Sequence, residues 1–270
     1  MSAPDTILLT VENYIAHIRF NRAEKANALN DQAWKELKAV FEALDVDEKV
    51  RVIILSGEGR HFCSGIDLSL LTSITSHHED VTTQDRENLR KEILWLQSCV
   101  SSIEHCSKPV LAAVSGGCIG AGVDIISACD MRYASEDAFF AIKEIDMGMV
   151  ADLGTLQRLP NIIPAGIMRE LAFTGRNVAG NEAEKIGLVN RCYPNQEEMM
   201  KSVYEIAATI ASKSPVSIRG IKHVVNYSRD HSVSNGLNYI ATWNAAMLLS
   251  DDLNEALDAQ MNKRPPNFRN

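Results

Sequence analysis

Short apolar runs recur along the first half of the chain, and each one predicts a β-strand. The runs lie at residues 6–10, 14–20, 52–55, 110–114, 131–134 and 138–142. The first two are joined at Glu12 and Asn13 and predict a hairpin. The runs at 52–55 and 110–114 are apolar at every position, which is typical of parallel strands that are buried on both faces.

Apolar positions that recur at helical spacing predict the helices. Asn30 or Asp31 is placed to cap the first of them. Its apolar face comprises Ala33, Trp34, Leu37, Val40, Phe41 and Leu44. Further helices are predicted at residues 87–104, 197–212, 216–227, 233–249 and 252–263, and a short one ends near Cys129. The stretch 70–85 is polar and predicts a mobile loop.

The order of these elements predicts the fold class. Strands alternate with helices up to Pro194, which is typical of α/β architecture, and only helices follow. We therefore expect a core formed by residues 1–195 and a helical C-terminal region formed by residues 196–270.

The charge balance excludes some classes of partner. The 270 residues carry a formal net charge of −8, whereas general nucleic-acid binding needs a basic face. The acidic balance also does not suit an anionic membrane surface. The most apolar stretch, residues 110–129, contains four glycines and Asp124, so it lacks the about 18 unbroken apolar residues of a membrane span.

The cysteines and the chain ends bear on location. Six cysteines show no paired spacing, so free thiols in a reducing compartment are expected. The first ten residues lack the basic and apolar regions of a secretory signal. The last residues, PPNFRN, do not match a peroxisomal address of the S-K-L type. A cytoplasmic location is therefore predicted, with a peroxisome or a mitochondrion as alternatives.

Metal binding and nucleophilic catalysis have weak signals. The seven histidines show no paired ligand spacing, and the His77-His78 pair in the polar stretch is interpreted as solvated, so no metal site is predicted. Phe62 occupies the first glycine position of a nucleophile elbow around Ser64. Cys63 has no neighbouring base in the sequence and is interpreted as a small buried apolar residue.

A glycine cluster precedes the short helix near residue 120. Gly120 and Gly122 have the spacing of a dinucleotide-binding loop, but Ile125 stands where its third glycine belongs. Tight packing between strand and helix is one interpretation of the cluster. The other is that bare backbone N–H groups at the helix N-terminus stabilise an oxyanion.

Three carboxylates lie in apolar surroundings and are candidates for acid–base chemistry. They are Asp124 in the first turn of that helix, Glu144, and Asp152 in the run IDMGMVADLG. Burial raises the pKa of a carboxyl group and thus favours proton transfer near neutral pH. For each acid alone, a helix cap or an ion pair is the more frequent role.

Three ordered motifs resemble those of the crotonase, or enoyl-CoA hydratase/isomerase, superfamily. They are NRAEKANALN at 21–30, GRHFCSGIDL at 59–68, and the segment 108–160 that contains SGGCIGAGVD. The resemblance covers essentially the whole chain. It implies an α/β fold built as a spiral of ββα turns. It also implies that the C-terminal helices assemble a homotrimer or a homohexamer, which is a dimer of trimers.

The resemblance further implies that the substrate is an acyl-CoA thioester and that no cofactor is needed. The implied CoA-binding residues are Lys25, Ala26, Ala28, Ser64, Gly65, Ile66, Asp67, Leu68, Gly120 and Ala121. Among them, the backbone N–H groups of Ile66 and Ala121 would form the oxyanion hole. Lys25 is equally compatible with a phosphate contact and with a solvated loop position.

The three acids depart from the hydratase pattern of this family. Hydratases carry Glu at the positions of Asp124 and Glu144, and typically Gly at the position of Asp152. The present set is similar to that of the Δ3,5-Δ2,4-dienoyl-CoA isomerase branch, as is the segment 228–248. This likeness implies conversion of 3,5-dienoyl-CoA to 2,4-dienoyl-CoA in the β-oxidation of unsaturated fatty acids.

The implied reaction moves a proton from C2 to C6 through a dienolate. By likeness to the family, Glu144 lies near C2 and Asp152 near C6, while Asp124 orients Glu144 or shares protons with it. The alternatives are an enoyl-CoA hydratase, a Δ3-Δ2-enoyl-CoA isomerase, a catalytically inactive CoA-binding scaffold and an RNA-binding protein. Asp152 argues against the first two, the three acids against a scaffold, and the acidic charge against RNA.

Overall fold

A computed structural model describes residues 6–75 and 81–269 of the chain. The strands among them are β1 Ile7–Glu12, β2 Ile15–Phe20, β3 Val52–Gly57, β4 Val110–Val114, β5 Gly117–Ile119, β6 Met131–Ser135, β7 Phe139–Ala141, β8 Val178–Ala179 and β9 Arg191–Tyr193. His77 and His78, which the sequence placed in a polar stretch, lie outside the described residues.

Helices follow most strands and dominate the last third of the chain. The α-helices are α1 Asp31–Val46, α2 Leu68–Thr75, α3 Thr83–His105, α4 Ala121–Ser127, α5 Thr155–Arg158, α6 Ala165–Thr174, α7 Gly180–Lys185, α8 Gln196–Ala211, α9 Pro215–Arg229, α10 Val233–Met247 and α11 Asp251–Met261. Short 3-10 helices occur at Ala23–Lys25, Glu144–Met147 and Leu159–Asn161. The α/β class predicted from the sequence is confirmed.

The larger sheet has six strands in the order β1-β2-β3-β4-β6-β9. Only the β1–β2 hairpin is antiparallel, and the other pairs are parallel. Alternate side chains of β3 enter two different apolar clusters: Ile53 and Leu55 on one face, Val52 and Ile54 on the other. Burial on both faces explains why this strand is apolar at every position.

The smaller sheet has the order β5-β7-β8 and carries the strands that directly follow β4 and β6. The chain passes from β4 to β5 and then to α4, and likewise from β6 to β7. Cys63, which follows β3, forms a parallel bridge with Cys118 in β5, so the preceding turn reaches the same sheet. This repetition of two strands and a helix is the ββα spiral that the family resemblance implies.

Helices cover both faces of the six-stranded sheet. α1 packs its buried Trp34, Leu37 and Phe41 into the larger cluster, and the Asn30 side chain caps it by accepting a hydrogen bond from the Ala33 N–H. α8 covers the opposite face through Met199, Val203, Ala207 and Ala211. α8 begins after residue 195 and yet packs into the same core as the strands. The division of the chain at residue 195 stays a prediction.

The loop predicted at 70–85 is wrong at both of its ends, and residues 76–80 lie outside the described residues. α2 occupies Leu68–Thr75, and α3 begins at Thr83, earlier than expected. Thr82 and Asp85 form a reciprocal capping box at this start, in which each side chain accepts a hydrogen bond from the other residue's backbone N–H. Polar residues therefore begin the helix here rather than interrupt it.

The helices from α9 onward leave many apolar side chains exposed. They include Ile221, Val225, Val233, Leu237, Leu249 and Leu257. Among the residues that the structure describes, no helix combines the length and apolar character needed to cross a lipid bilayer. These exposed side chains are consequently candidates for contact with another protein surface.

A buried histidine joins the sheet to α8 and makes stability depend on pH. The ring of His17 on β2 hydrogen-bonds Ser56 of β3 and Tyr204 of α8, each at 2.8 Å. Burial and the nearby Arg19 charge lower the pKa of His17 from 6.5 to about 4. The neutral ring is therefore the form that the fold accommodates.

We predict that the free energy of unfolding decreases as the pH falls from 6.5 to about 4, by up to roughly 3 kcal/mol from this group. The unfolded chain takes up the proton over this range and the folded chain resists it. Urea unfolding at several pH values measures the effect. His17→Gln should remove this component, and His105→Gln, at an exposed position of α3, should keep it. Equal pH dependence in all three proteins would contradict the assignment.

Candidate active site

Two backbone segments meet at the edge of the smaller sheet. The Cys63 N–H donates to the Gly117 carbonyl, and the Ile119 N–H donates to the Cys63 carbonyl. This pairing brings Gly65 beside Gly120, since a Cβ atom on Gly120 would lie 4.0 Å from the Gly65 Cα. Cys63 is fully buried, as the sequence analysis expected of a small apolar residue, and desolvation raises the pKa of its thiol to about 12.

Each segment presents one backbone N–H group that is directed away from its neighbours. The Leu29 N–H donates to the Gly65 carbonyl, and the Asp67 N–H donates to the Leu29 carbonyl. In such a parallel bridge the Ile66 N–H points to the side opposite Leu29. Ala121 is the first residue of α4, so its N–H has no partner within the helix. A Cβ on Gly65 would lie 3.6 Å from the Ala121 nitrogen, so glycine keeps this space open.

Asp124 is buried one turn into α4. Its Oδ1 accepts a hydrogen bond of 2.6 Å from the Thr155 N–H. Desolvation raises the pKa of Asp124 to about 6, against the lowering effect of that hydrogen bond. The side chain therefore links α4 to the segment that follows Asp152.

Glu144 opens the 3-10 helix that follows β7. Its Oε1 would lie 3.3 Å from a Cβ on Gly120, and its Oε2 is buried without a hydrogen-bond partner among the described residues. Desolvation, followed by the charge of Asp124 and more weakly that of Asp152, raises the pKa of Glu144 to about 7. Such a carboxyl group can both take up and release a proton at neutral pH.

Asp152 is the most exposed of the three acids. Desolvation raises its pKa, and a hydrogen bond from its own backbone N–H opposes that rise. Its charge contributes to the raised pKa of both Asp124 and Glu144. The structure thus brings the three sequence-predicted acids into one interacting group, which titrates as a set.

An apolar cavity of about 310 Å³ opens beside Glu144. It is lined by Ile142, Ile145, Met149, Val150, Ala151, Leu156, Met168, Arg169, Ala172 and Phe173 together with Glu144. The sequence analysis missed these residues. No local motif marks them, because they come from four separated segments and, apart from Arg169, share only their apolar character.

The two loops of the implied CoA site run side by side. The Ser64 N–H donates to the Ala26 carbonyl at 3.0 Å, and Lys25 in the same loop is exposed. The Arg22 side chain bonds Asp67 at 3.0 Å and also contacts the Ala28 carbonyl. The Asp67 carboxylate is therefore occupied by a structural ion pair.

Across residues 6–75 and 81–269, no group of three His, Cys, Asp or Glu side chains has the arrangement of metal ligands. The three acids are held by backbone contacts and by apolar surroundings. Their geometry suits proton transfer.

We predict that Asp124→Asn lowers the pKa of Glu144, because it removes a nearby negative charge while retaining an oxygen that can accept from the Thr155 N–H. NMR of the carboxyl carbons measures this, and the Glu144 signal is assigned with Glu144→Gln. Asp146→Asn is the matched control: Asp146 is an exposed neighbour of Glu144 that pairs with Lys143 at 2.8 Å. An unchanged Glu144 pKa in Asp124→Asn would mean that the two carboxyl groups do not interact.

The chain is similar over nearly its whole length to named enzymes. It is 48% identical to a peroxisomal Δ3,5-Δ2,4-dienoyl-CoA isomerase of Arabidopsis thaliana, over 98% of this chain and 96% of that protein. It is 44% identical to a mitochondrial enzyme of the same name from Rattus norvegicus, over 94% of this chain and 79% of that protein.

These names correct the predicted cytoplasmic location, because the two relatives are a peroxisomal and a mitochondrial protein. The prediction was wrong because it relied on cysteine spacing and on the absence of short address motifs. Free thiols distinguish reducing from oxidising environments, but they carry no further information about the compartment.

A solved structure and a family model both match this chain over nearly its whole length. A crystal structure of an enoyl-CoA hydratase from Bacillus anthracis superposes with a TM-score of 0.89 at 28% identity, over 98% of this chain and 99% of that one. The family model for enoyl-CoA hydratase/isomerase matches residues 10–270. This chain belongs to the enoyl-CoA hydratase/isomerase family.

Proposed function

We propose that this protein isomerises 3,5-dienoyl-CoA to 2,4-dienoyl-CoA in the oxidation of unsaturated fatty acids. The observation that carries the proposal is a third carboxyl group, Asp152, whose charge raises the pKa of both Asp124 and Glu144. Proton removal at C2 and proton delivery at the remote C6 need two separate acid–base groups. The names of the Arabidopsis and rat relatives support the same reaction.

The backbone N–H groups of Ile66 and Ala121 act on the thioester oxygen. Removal of the C2 proton spreads negative charge over the acyl chain and onto that oxygen. Two donors that are fixed in place before the reaction stabilise this dienolate, and one such donor typically contributes about 3 kcal/mol. The space that Gly65 leaves beside the Ala121 nitrogen is where the oxygen binds.

Glu144 removes the C2 proton and Asp152 supplies the proton at C6. Glu144 suits the first step because its Oε2 is unpaired and its pKa is raised to about 7. The C3=C4 and C5=C6 double bonds become C2=C3 and C4=C5, and one proton is lost and one gained. The charges of Asp124 and Asp152 both raise the pKa of Glu144, because neighbouring negative charges disfavour simultaneous ionisation of the acids.

CoA lies along the two paired loops. We assign its contacts to the backbone around Lys25, Ala26, Ala28 and Ser64–Leu68, and to Gly120 and Ala121. The exposed Lys25 ammonium group contacts a phosphate of CoA. Neither proton transfer requires a metal or another cofactor, because carboxyl groups and backbone amides supply all the chemistry.

The acyl tail beyond C6 enters the apolar cavity beside Glu144. A volume of about 310 Å³ is at the lower end of the range for small-molecule sites. We also propose that the exposed apolar side chains of α9 to α11 are buried in a homotrimer or a homohexamer.

We predict that the purified protein forms the near-ultraviolet band of a 2,4-dienoyl thioester from 3,5-octadienoyl-CoA and leaves crotonyl-CoA unhydrated. In Asp152→Asn this isomerisation should fall by at least a hundredfold, while deuterium exchange at C2 continues. In Glu144→Gln both should be lost, because the base at C2 is gone.

Rapid loss of the crotonyl-CoA absorbance without a dienoyl band would instead identify a hydratase. Near-normal isomerisation by Asp152→Asn would remove that residue from the mechanism. Binding of a non-reactive acyl-CoA should persist in both variants, which separates lost chemistry from lost folding.

We predict that Gly120→Ala abolishes isomerisation, because its methyl group would lie 3.3 Å from Glu144 Oε1 and 4.0 Å from the Gly65 Cα, between the candidate base and the loop that carries Ile66. Gly187→Ala is the matched control: both glycines have positive φ, +53° and +82°, but a Cβ at Gly187 meets only an ordinary contact at 3.6 Å. Each change places a side chain at positive φ and should cost about 1–3 kcal/mol of stability. Equal activity losses in the two variants, measured beside thermal unfolding, would contradict the assigned role of Gly120.

A further inference from the structure

The short segment from Ala151 to Thr155 carries Asp152 and has no regular secondary structure up to α5. Its C-terminal side is fixed by the Thr155 N–H, which donates to Asp124 Oδ1 at 2.6 Å. Arg158 Nη1 donates to the Leu153 carbonyl at 3.4 Å. These two contacts hold the part of the segment that follows Asp152.

Gln97 of α3 supplies a contact at Asp152 itself. Its Nε2 donates a hydrogen bond of 2.7 Å to the Asp152 carbonyl oxygen. Gln97 is half-buried on α3. One turn further along the same side, Val100 packs into the core and Ser101 accepts a hydrogen bond from Arg158. The donor is therefore anchored on a rigid element, whereas the acceptor lies in an irregular one.

The backbone of residue 152 in turn orients its carboxyl group. The carbonyl that Gln97 contacts and the carboxyl side chain are both attached to the Asp152 Cα. Rotation of this backbone would therefore carry the carboxylate away from its place beside Asp124 and Glu144. Glu144 lies on a different element, the 3-10 helix after β7.

We propose that Gln97 is a positioning residue for Asp152 and that it acts on proton delivery at C6 without affecting proton removal at C2. This inference rests on the proposed isomerase function. Gln97 is uncharged, so its removal changes the placement of Asp152 and leaves the charge of the site as it was. A displacement of about 1 Å can reduce the rate of a reaction by 10²-fold.

The test compares Gln97→Met with Gln84→Met in the full-length protein. Methionine has a similar size but cannot donate a hydrogen bond. Gln84 lies near the start of the same helix and bonds Asn88 at 3.1 Å, so the control repeats the chemical change away from the site. Three quantities are measured: kcat for 3,5-octadienoyl-CoA, deuterium exchange at C2, and KM.

Gln97→Met should lower kcat about 10- to 100-fold and leave C2 exchange and KM within about twofold. Gln84→Met should match the parent protein. An unchanged kcat in Gln97→Met overturns the proposal, and so does a loss of C2 exchange in parallel with kcat. If the parent protein itself forms no 2,4-dienoyl-CoA, the proposed function fails, and this inference fails with it.

Gln97→Glu gives a second test that does not depend on the stability of the methionine variant. A protonated glutamic acid can donate to the Asp152 carbonyl, whereas a carboxylate cannot. The ratio of its kcat to that of the parent protein should therefore rise as the pH is lowered. A ratio that does not change with pH would overturn the assigned role of this hydrogen bond.

Discussion

The backbone pairing of Cys63 with Cys118 is the contact on which the candidate site depends. It joins the loop after β3 to β5, and two residues further along each chain segment Gly65 and Gly120 come into contact. β7 pairs with the other side of β5 and leads directly to Glu144. Both candidate oxyanion donors and the candidate base are therefore positioned by one three-stranded sheet, and the fold must form before any of them can act.

Burial gives the acids their chemistry and also costs stability. Asp124 is 1% exposed, and desolvation is the largest contribution to its raised pKa. The Thr155 N–H offsets part of that cost, and Arg158, which pairs with Glu104 at 2.9 Å, adds a favourable charge. Thr155 and Arg158 thus stabilise the buried Asp124 carboxylate and also fix the segment that bears Asp152. The same two residues therefore affect stability and the geometry of the candidate site.

The sequence predicted features that are set by local pattern and missed those set by distant contacts. The strand at β4 follows from its unbroken apolar run, and the start of α1 follows from Asn30. The helix α2 was missed, and β5 has only three residues and is recognisable only through its pairing. Gln97 was also missed, because a glutamine on a polar helix face carries no signal until the Asp152 carbonyl is seen beside it. The compartment was predicted wrongly because no feature of the fold depends on it.

Likeness of fold alone cannot decide which reaction this site performs. The Bacillus anthracis hydratase has the same fold at 28% identity, so the fold is compatible with either chemistry. Hydration adds water across a double bond next to the thioester and needs no group near C6. A carboxyl group at residue 152 would bring desolvation cost and charge repulsion to a hydratase without benefit. In the proposed isomerisation the same group supplies the second proton. The proposal therefore distinguishes the two reactions by a single side chain, Asp152, on the irregular segment that Gln97 of α3 contacts.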